Sequence, residues 1–303
     1  MDIFLITFKQ VVGLFLIIFV GLVCCKAGVL TDKSKKELSG LLVNIVIPAV
    51  IINSFQRQMD LSKAEVLFES FFYCIIVHIC LIILAALFLP KRLGPNYSIE
   101  RISVIYTNAG FMGLPLLSAL FGEEGTLYAA VYVSVFHLFM WTAGTFSLTK
   151  DKSLKSAVRQ LCSPTIIAVL IALLFLFLNV KLPEVLLTPL GYVADMNTPL
   201  AMIVTGVSLA SIDLCELFGT RKLYYVTALR LLILPLILVG LFRLLQFSGM
   251  ASDCALVSAA CPTAAIAPMV AVQYGHDEKT ASGIFALTTL LSLFTIPLFM
   301  LFL

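Results

Sequence analysis

Asn108, Gly110, Gly113, Leu114 and Pro115 lie together in TNAGFMGLPLLSALFG, inside an otherwise apolar run. Proline removes a backbone donor and clashes with the preceding turn, and glycine lowers the cost of leaving helical geometry. In hydrocarbon each freed backbone group costs several kcal/mol, so such a break is buried in protein or lines a wet cavity. A second break is written in CPTAAIAPMVAVQYG, with Cys261, Pro262, Thr263 and Pro268. The chemistry these residues suit is non-covalent. Asn108 both donates and accepts, and a half-helix resuming after each break offers free N–H groups and a positive dipole end to an anion. Pro115 and Pro268 are expected in the first turn of those half-helices, where proline is tolerated.

Other polar groups fall within apolar runs. Asn44, Asn197 and Arg230 are further candidates for substrate contact. Arginine in a span is a functional hypothesis by default, and its structural alternative is snorkelling toward the basic end of its helix. Asp195, His137 and His78 are the proton-coupling candidates. Asp195 either takes a proton or caps the turn carrying Asn197 and Thr198, and each histidine either carries a proton or bonds between helices. Ser134 precedes His137 on the same helix face, yet no third partner or oxyanion signature accompanies them, so no enzyme is expected. The eight cysteines lack metal-ligand spacing, so neither a metal site nor a cofactor is expected.

The elements that must position these residues are transmembrane helices. Of 303 residues 61% are hydrophobic and 12% charged, and the mean hydropathy is +1.07. Ten apolar runs are long enough to span a bilayer: 4–25, 38–55, 66–89, 99–121, 126–148, 161–180, 186–211, 223–245, 253–274 and 280–302. The links are short, leaving no room for a water-soluble domain. The first run lacks a basic start and a small-x-small cleavage site, so it reads as a helix and not as a signal peptide.

Charge placement orients the chain. With the N-terminus outside, inner links carry Lys26, Lys33, Lys35, Lys36, Lys91, Arg92, Arg101, Lys150, Lys152, Lys155, Arg159, Arg221, Lys222 and Lys279. Outer links carry only Lys9, Arg57, Lys63, Lys181 and Arg243. This bias places both termini outside the cytoplasmic membrane. The net charge of +3 is a topology signal, and no nucleic-acid partner is expected.

The basic link 149–160 divides the chain into five-helix units, 1–148 and 161–303. Five is odd, so a duplicated unit must insert upside down. A shift of 153 residues sets Asn108 on Cys261, Pro115 on Pro268, Gly122 on Gly275 and Glu124 on Asp277. With a two-residue slip Pro48 falls on Pro199 and Asn44 on Asp195. Broken helices at matching places in inverted halves point to a transport site.

TNAGFMGLPLLSALFG, the run ending AVQYG, and MNTPLAMIVTGVSLA resemble the auxin efflux carrier family, whose bacterial members include malate permeases. The resemblance covers the whole chain. It implies an all-α polytopic membrane protein of ten transmembrane helices in a 5+5 inverted repeat, with broken helices 4 and 9 crossing. It further implies that helices 1, 2, 6 and 7 form a scaffold, often dimeric, against which helices 3–5 and 8–10 move as a transport domain. The short central link departs from the long loop of the plant carriers. The expected function is secondary transport of a small organic anion, a carboxylate such as malate or an auxin-like acid, by alternating access. The rivals are a sodium-coupled organic-anion symporter of related fold and a channel or sensor. The expected partners are that anion, membrane lipid and a second copy of the chain.

Overall fold

A computed structural model describes residues 3–57, 64–148, 164–210 and 221–303. The central link at 149–160, with its four basic residues, lies outside the described residues. Everything described is helix or connection, apart from one isolated antiparallel bridge between Thr107 and Thr263.

In chain order the helices are α1 (Ile3–Lys26), α2 (Asp32–Leu41), α3 (Ile47–Arg57), α4 (Ala64–Phe88), α5 (Tyr97–Ile105), α6 (Leu114–Phe139), α7 (Thr145–Leu148) and α8 (Pro164–Phe177). They continue with α9 (Glu184–Asp195), α10 (Asn197–Ala210), α11 (Arg221–Ala228), α12 (Leu234–Leu244), α13 (Met250–Ala260), α14 (Ile266–Gln273) and α15 (Glu278–Phe299). Wide π-turns join several of them: Leu42–Val46, Ala109–Gly113, Met140–Gly144 and Leu229–Ile233. A π-turn inserts a residue into the i→i+4 ladder and recurs at functional sites.

Among the described residues seven helical stretches are long and apolar enough to cross a membrane, and Pro164–Phe177 and Met250–Ala260 are shorter apolar helices. One of the seven, Ala109–Leu148, holds what the sequence divides into two spans. The division is present as a break at Gly122, whose backbone (φ 62°, ψ −142°) is in a region open to glycine. The chain folds back there, because Val133 packs against Gly110.

Two groups of helices are visible in the packing. In one, α1 lies along α10, and α3 along α8 and α9. Gly21 and Gly206 let α1 and α10 touch backbone to backbone. A Cβ on Gly206 would sit 2.0 Å from the Ile18 carbonyl oxygen, and one on Gly21 would sit 2.3 Å from that of Ile203. Small residues at such a seam are how membrane helices gain contact without a hydrophobic driving force. Gln56 at the end of α3 bonds the Val180 carbonyl and the Leu182 amide, fixing the α8–α9 connection. In the other group α4, α5, α6, α13, α14 and α15 pack on one another. A contact between α1 and α15 joins the groups.

Candidate functional site

The chain leaves helical geometry at Tyr106 to Asn108 and again at Cys261 to Ala265. Here the freed backbone groups find each other. The Asn108 amide donates to the Pro262 carbonyl (2.7 Å), and the Ala264 amide donates to the Tyr106 carbonyl (2.9 Å). Thr107 and Thr263 thus face one another as the shortest antiparallel ladder, and this bridge is where the two broken helices cross. Thr263 adds a hydroxyl bond to the Ser103 carbonyl, and its amide donates to Thr288 Oγ1.

Arg230 completes the crossing. It is fully buried on the π-turn Leu229–Ile233, and its guanidinium donates to the carbonyls of Val104 (3.2 Å), Ala259 (2.5 Å) and Cys261 (2.5 Å). Those carbonyls end α5 and α13, so one cation sits at the negative ends of both pre-break half-helices. The planar five-donor fork of arginine suits this; an ammonium would not span it.

Beyond the crossing the helices resume differently from the sequence expectation. Pro115 does not open its half-helix. The helical turn begins at Ala109, and the Asn108 carbonyl accepts from both Met112 and Gly113. The π-turn absorbs the break, and Pro115 falls second in the α6 ladder that follows it. Pro268 is the third residue of α14 and keeps the expected place in its first turn.

A cavity of about 1400 Å³ ends on this arrangement. Its floor is Thr107, Asn108, Gly110 and Phe111 from one crossing strand, with Ala264, Ala265 and Ile266 from the other. The start of each post-break half-helix therefore faces the same space. Asn108 is 4% exposed and its Nδ2 has no hydrogen-bond partner, a donor left available at the floor. The walls come from both helix groups: Asn44, Ile47, Val204 and Ser208 on one side, Val133, Phe136, His137 and Trp141 on the other. Lys35, Lys36, Lys222 and Lys279 line the same cavity with Asn96, Glu100 and Glu278.

At its rim Asn96 donates to Asp277 Oδ2 (2.7 Å) and Thr280 Oγ1 (3.0 Å), tying the start of α5 to the cap of α15. Asp277 accepts from the Lys279 and Thr280 amides as the N-cap of α15. The Thr280 hydroxyl, then its amide, Asn96 and the Lys279 amide hold this carboxyl below the usual carboxylate value against a partial desolvation.

The structure gathers some sequence-predicted residues and separates others. Asn108, Gly110, Asn44, Pro268 and His137 line the cavity; His137 accepts from Trp141 Nε1 (3.2 Å). Cys261, Pro262, Thr263 and Arg230 build the crossing beneath it. Gly113 abuts Cys261, because a Cβ there would meet its sulfur at 3.2 Å. Pro115 is buried in α6. His78 is fully buried with Nδ1 on the Cys74 carbonyl and its ring against Phe139 and Tyr132, and it lies outside the cavity lining.

Leu114, Asp195 and Asn197 belong to a second pocket, about 280 Å³, near the other ends of α3 and α9–α10. There Asn197 is 2% exposed with neither side-chain atom partnered, and Arg57 pairs with Glu123 at 3.2 Å across the two helix groups.

Two residues that matter to the cavity escape the sequence reading. Glu100 and Lys222 form an ion pair at 2.6 Å on its wall. Glu100 sits beside Arg101 at the start of an apolar run. The signal that would have found it is its position seven residues, or about two turns, before Thr107 on the same broken helix.

An all-helical multi-pass membrane protein, with two broken helices paired at the floor of an open cavity, belongs to the class of solute transporters. A family model described as "Membrane transport protein" matches residues 6–156 and 148–300. The chain belongs to this family, the auxin efflux carrier family to which its motifs pointed. An "Uncharacterized transporter" of Methanothermobacter thermautotrophicus is 27% identical over 301 residues, covering 98% of each chain. Another from Methanocaldococcus jannaschii is 24% identical, covering 93% of this chain and 94% of the relative. A "Putative malonate transporter" of Rhizobium meliloti is 24% identical, covering 94% of this chain and 92% of the relative.

Proposed function

We propose that this chain is a secondary transporter of a small organic anion, working by alternating access. The observation that carries the reading is the cavity floor, where two post-break helix starts and the unpartnered side-chain Nδ2 of Asn108 converge. Each helix end contributes up to ~2 kcal/mol toward an anion when partly buried. With a few hydrogen bonds the total approaches about −4 kcal/mol, a millimolar affinity that lets a carrier release its cargo. The relative named for malonate supports a small dicarboxylate as the cargo.

In this reading the ten helices form an inverted 5+5 repeat with both termini outside. The π-turn before Pro48 and the α9–α10 break before Pro199 are its matching weak points in helices 2 and 7. Helices 1, 2, 6 and 7 act as the scaffold, through which two copies would pair, and the other six move. The cavity lies between those groups and has Lys35, Lys36, Lys222 and Lys279 on its lining, so its mouth faces the cytoplasm. The small pocket closed by Arg57 and Glu123 is then the sealed outer route.

The test is thermal unfolding of purified protein in detergent with malonate, malate, acetate and an indole carboxylate, followed by counterflow in proteoliposomes. A ligand bound only by the folded state stabilises by mass action, about 2.7 kcal/mol at a hundredfold excess over Kd. The reading fails if no anion raises the unfolding temperature and none shows saturable counterflow.

A further inference from the structure

We propose that Glu100 and Lys222 are the coupling pair of this carrier: an organic anion engaging Lys222 makes Glu100 take up one proton. The inference rests on the organic-anion reading and adds the coupled ion and its carrier.

The geometry favours this pair over the polar groups suggested by sequence. Glu100 Oε1 receives Lys222 Nζ at 2.6 Å, while Oε2 is buried with no partner. The two ends differ in access. The carboxylate side chain is 3% exposed and the lysine side chain 33% exposed, and both line the cavity. An incoming carboxylate therefore meets the ammonium before it meets the acid. Two carboxylates then share one cation, and a like charge beside a buried carboxylate favours its protonated form. The proton passes from cavity water to the unpartnered Oε2, and Glu100 becomes a neutral acid. When the anion leaves, the proton leaves with it and the ion pair re-forms. The loaded protein thus carries the anion's charge less one.

Charged groups on the surrounding elements do not replace Glu100 in this role. Lys91 and Arg101 stack over Tyr97, and Arg101 donates to the Leu89 and Ala86 carbonyls; Arg92 lies on the same turn. Arg230 is committed to the crossing carbonyls, and Asp277 to Asn96 and Thr280. Lys35, Lys36 and His137 also line the cavity, as do Glu278 and Lys279 at the start of α15, which packs on α5. Of these His137 is the rival proton carrier, which sets the control.

The experiment adds malonate, and separately malate, to purified full-length protein in weak buffer with a pH indicator, alongside calorimetry from pH 5.5 to 8.5. Wild type should take up about one proton per bound anion, with affinity falling by up to about tenfold per pH unit as pH rises. Glu100→Gln should bind without proton uptake and with a flat pH profile, whereas Glu100→Asp should restore part of both. Lys222→Gln should also lose anion-linked uptake, because its Glu100 has no counter-ion to lose. His137→Gln should keep the uptake. Binding by wild type without proton uptake, or uptake that survives Glu100→Gln and disappears in His137→Gln, overturns the coupling pair and leaves the anion reading standing. Wild-type protein that binds neither anion overturns both. If Glu100→Gln does not fold, the wild-type uptake and Lys222→Gln decide the matter.

Discussion

Arg230 donates to the Cys261 carbonyl at 2.5 Å and, from the same guanidinium, to Val104 on the other broken helix. One side chain therefore braces both halves of the crossing from below, while the cavity lies above it.

Arg230→Met should strand three buried carbonyls, at about 1–3 kcal/mol for each that finds no other donor. Arg230→Lys can reach one or two and should fall between. Thermal unfolding in detergent checks the order. A methionine variant as stable as wild type would remove the brace from the account.

Asn108→Leu keeps roughly the volume but deletes the unpartnered amide at the cavity floor. A hydrogen bond to a charged partner is worth about 1.5–3 kcal/mol, so anion binding should weaken by tenfold or more. Leu120→Ala, in the same half-helix and lining neither pocket, is the control. Equal binding by wild type and Asn108→Leu, with loss in the control, would move the site away from the floor.

Sidedness has a direct assay. Cysteines at Ser39 in the large cavity and Thr126 in the small pocket should label from opposite faces with a membrane-impermeant maleimide. Thr126→Cys should react in intact cells, and Ser39→Cys only after permeabilisation. Tags at Met1 and Leu303 should be reachable from outside. The reverse pattern would invert the topology and the direction in which this cavity opens.

Asp277 gives a pH-dependent stability. Its carboxyl is held below the usual value, chiefly by the Thr280 hydroxyl, so it stabilises the fold above the ordinary carboxylate range. That contribution disappears as pH falls through its depressed folded value. Asp277→Ala should cost about 0.5–2 kcal/mol at pH 7, as loss of a helix cap does. The gap in unfolding temperature between the two proteins should persist at pH 5 and close in stronger acid. A gap independent of pH would assign the effect to packing.

The breaks were legible because proline and glycine in an apolar run have one economical explanation, and Asn108 stood beside the first of them. What the breaks do for each other was not, because Asn108 and Pro262 are joined only in three dimensions. Sequence leaves Arg230 between a substrate contact and a snorkelling side chain, because it cannot reveal that the guanidinium faces carbonyls. Pro115 follows the π-turn Ala109–Gly113 and so falls a turn later in its half-helix than the first turn the sequence predicts, because a π-turn has no sequence signature of its own. Glu100 stayed hidden behind its neighbour Arg101, which turned out to cap α4 carbonyls and to leave the acid facing inward.

The bridge between Thr107 and Thr263 also constrains how the protein is made. During synthesis the first half emerges and enters the bilayer with the Asn108 amide and the Tyr106 carbonyl lacking the partners they have in the finished fold. Their partners, Pro262 and Ala264, are translated more than 150 residues later. Unsatisfied backbone is expensive in hydrocarbon, so the nascent half must shelter that segment, in the insertion machinery or in water, until the second half arrives. The two halves of the chain are thus obligate assembly partners, and a ribosome that stalls between them leaves a product that cannot mature.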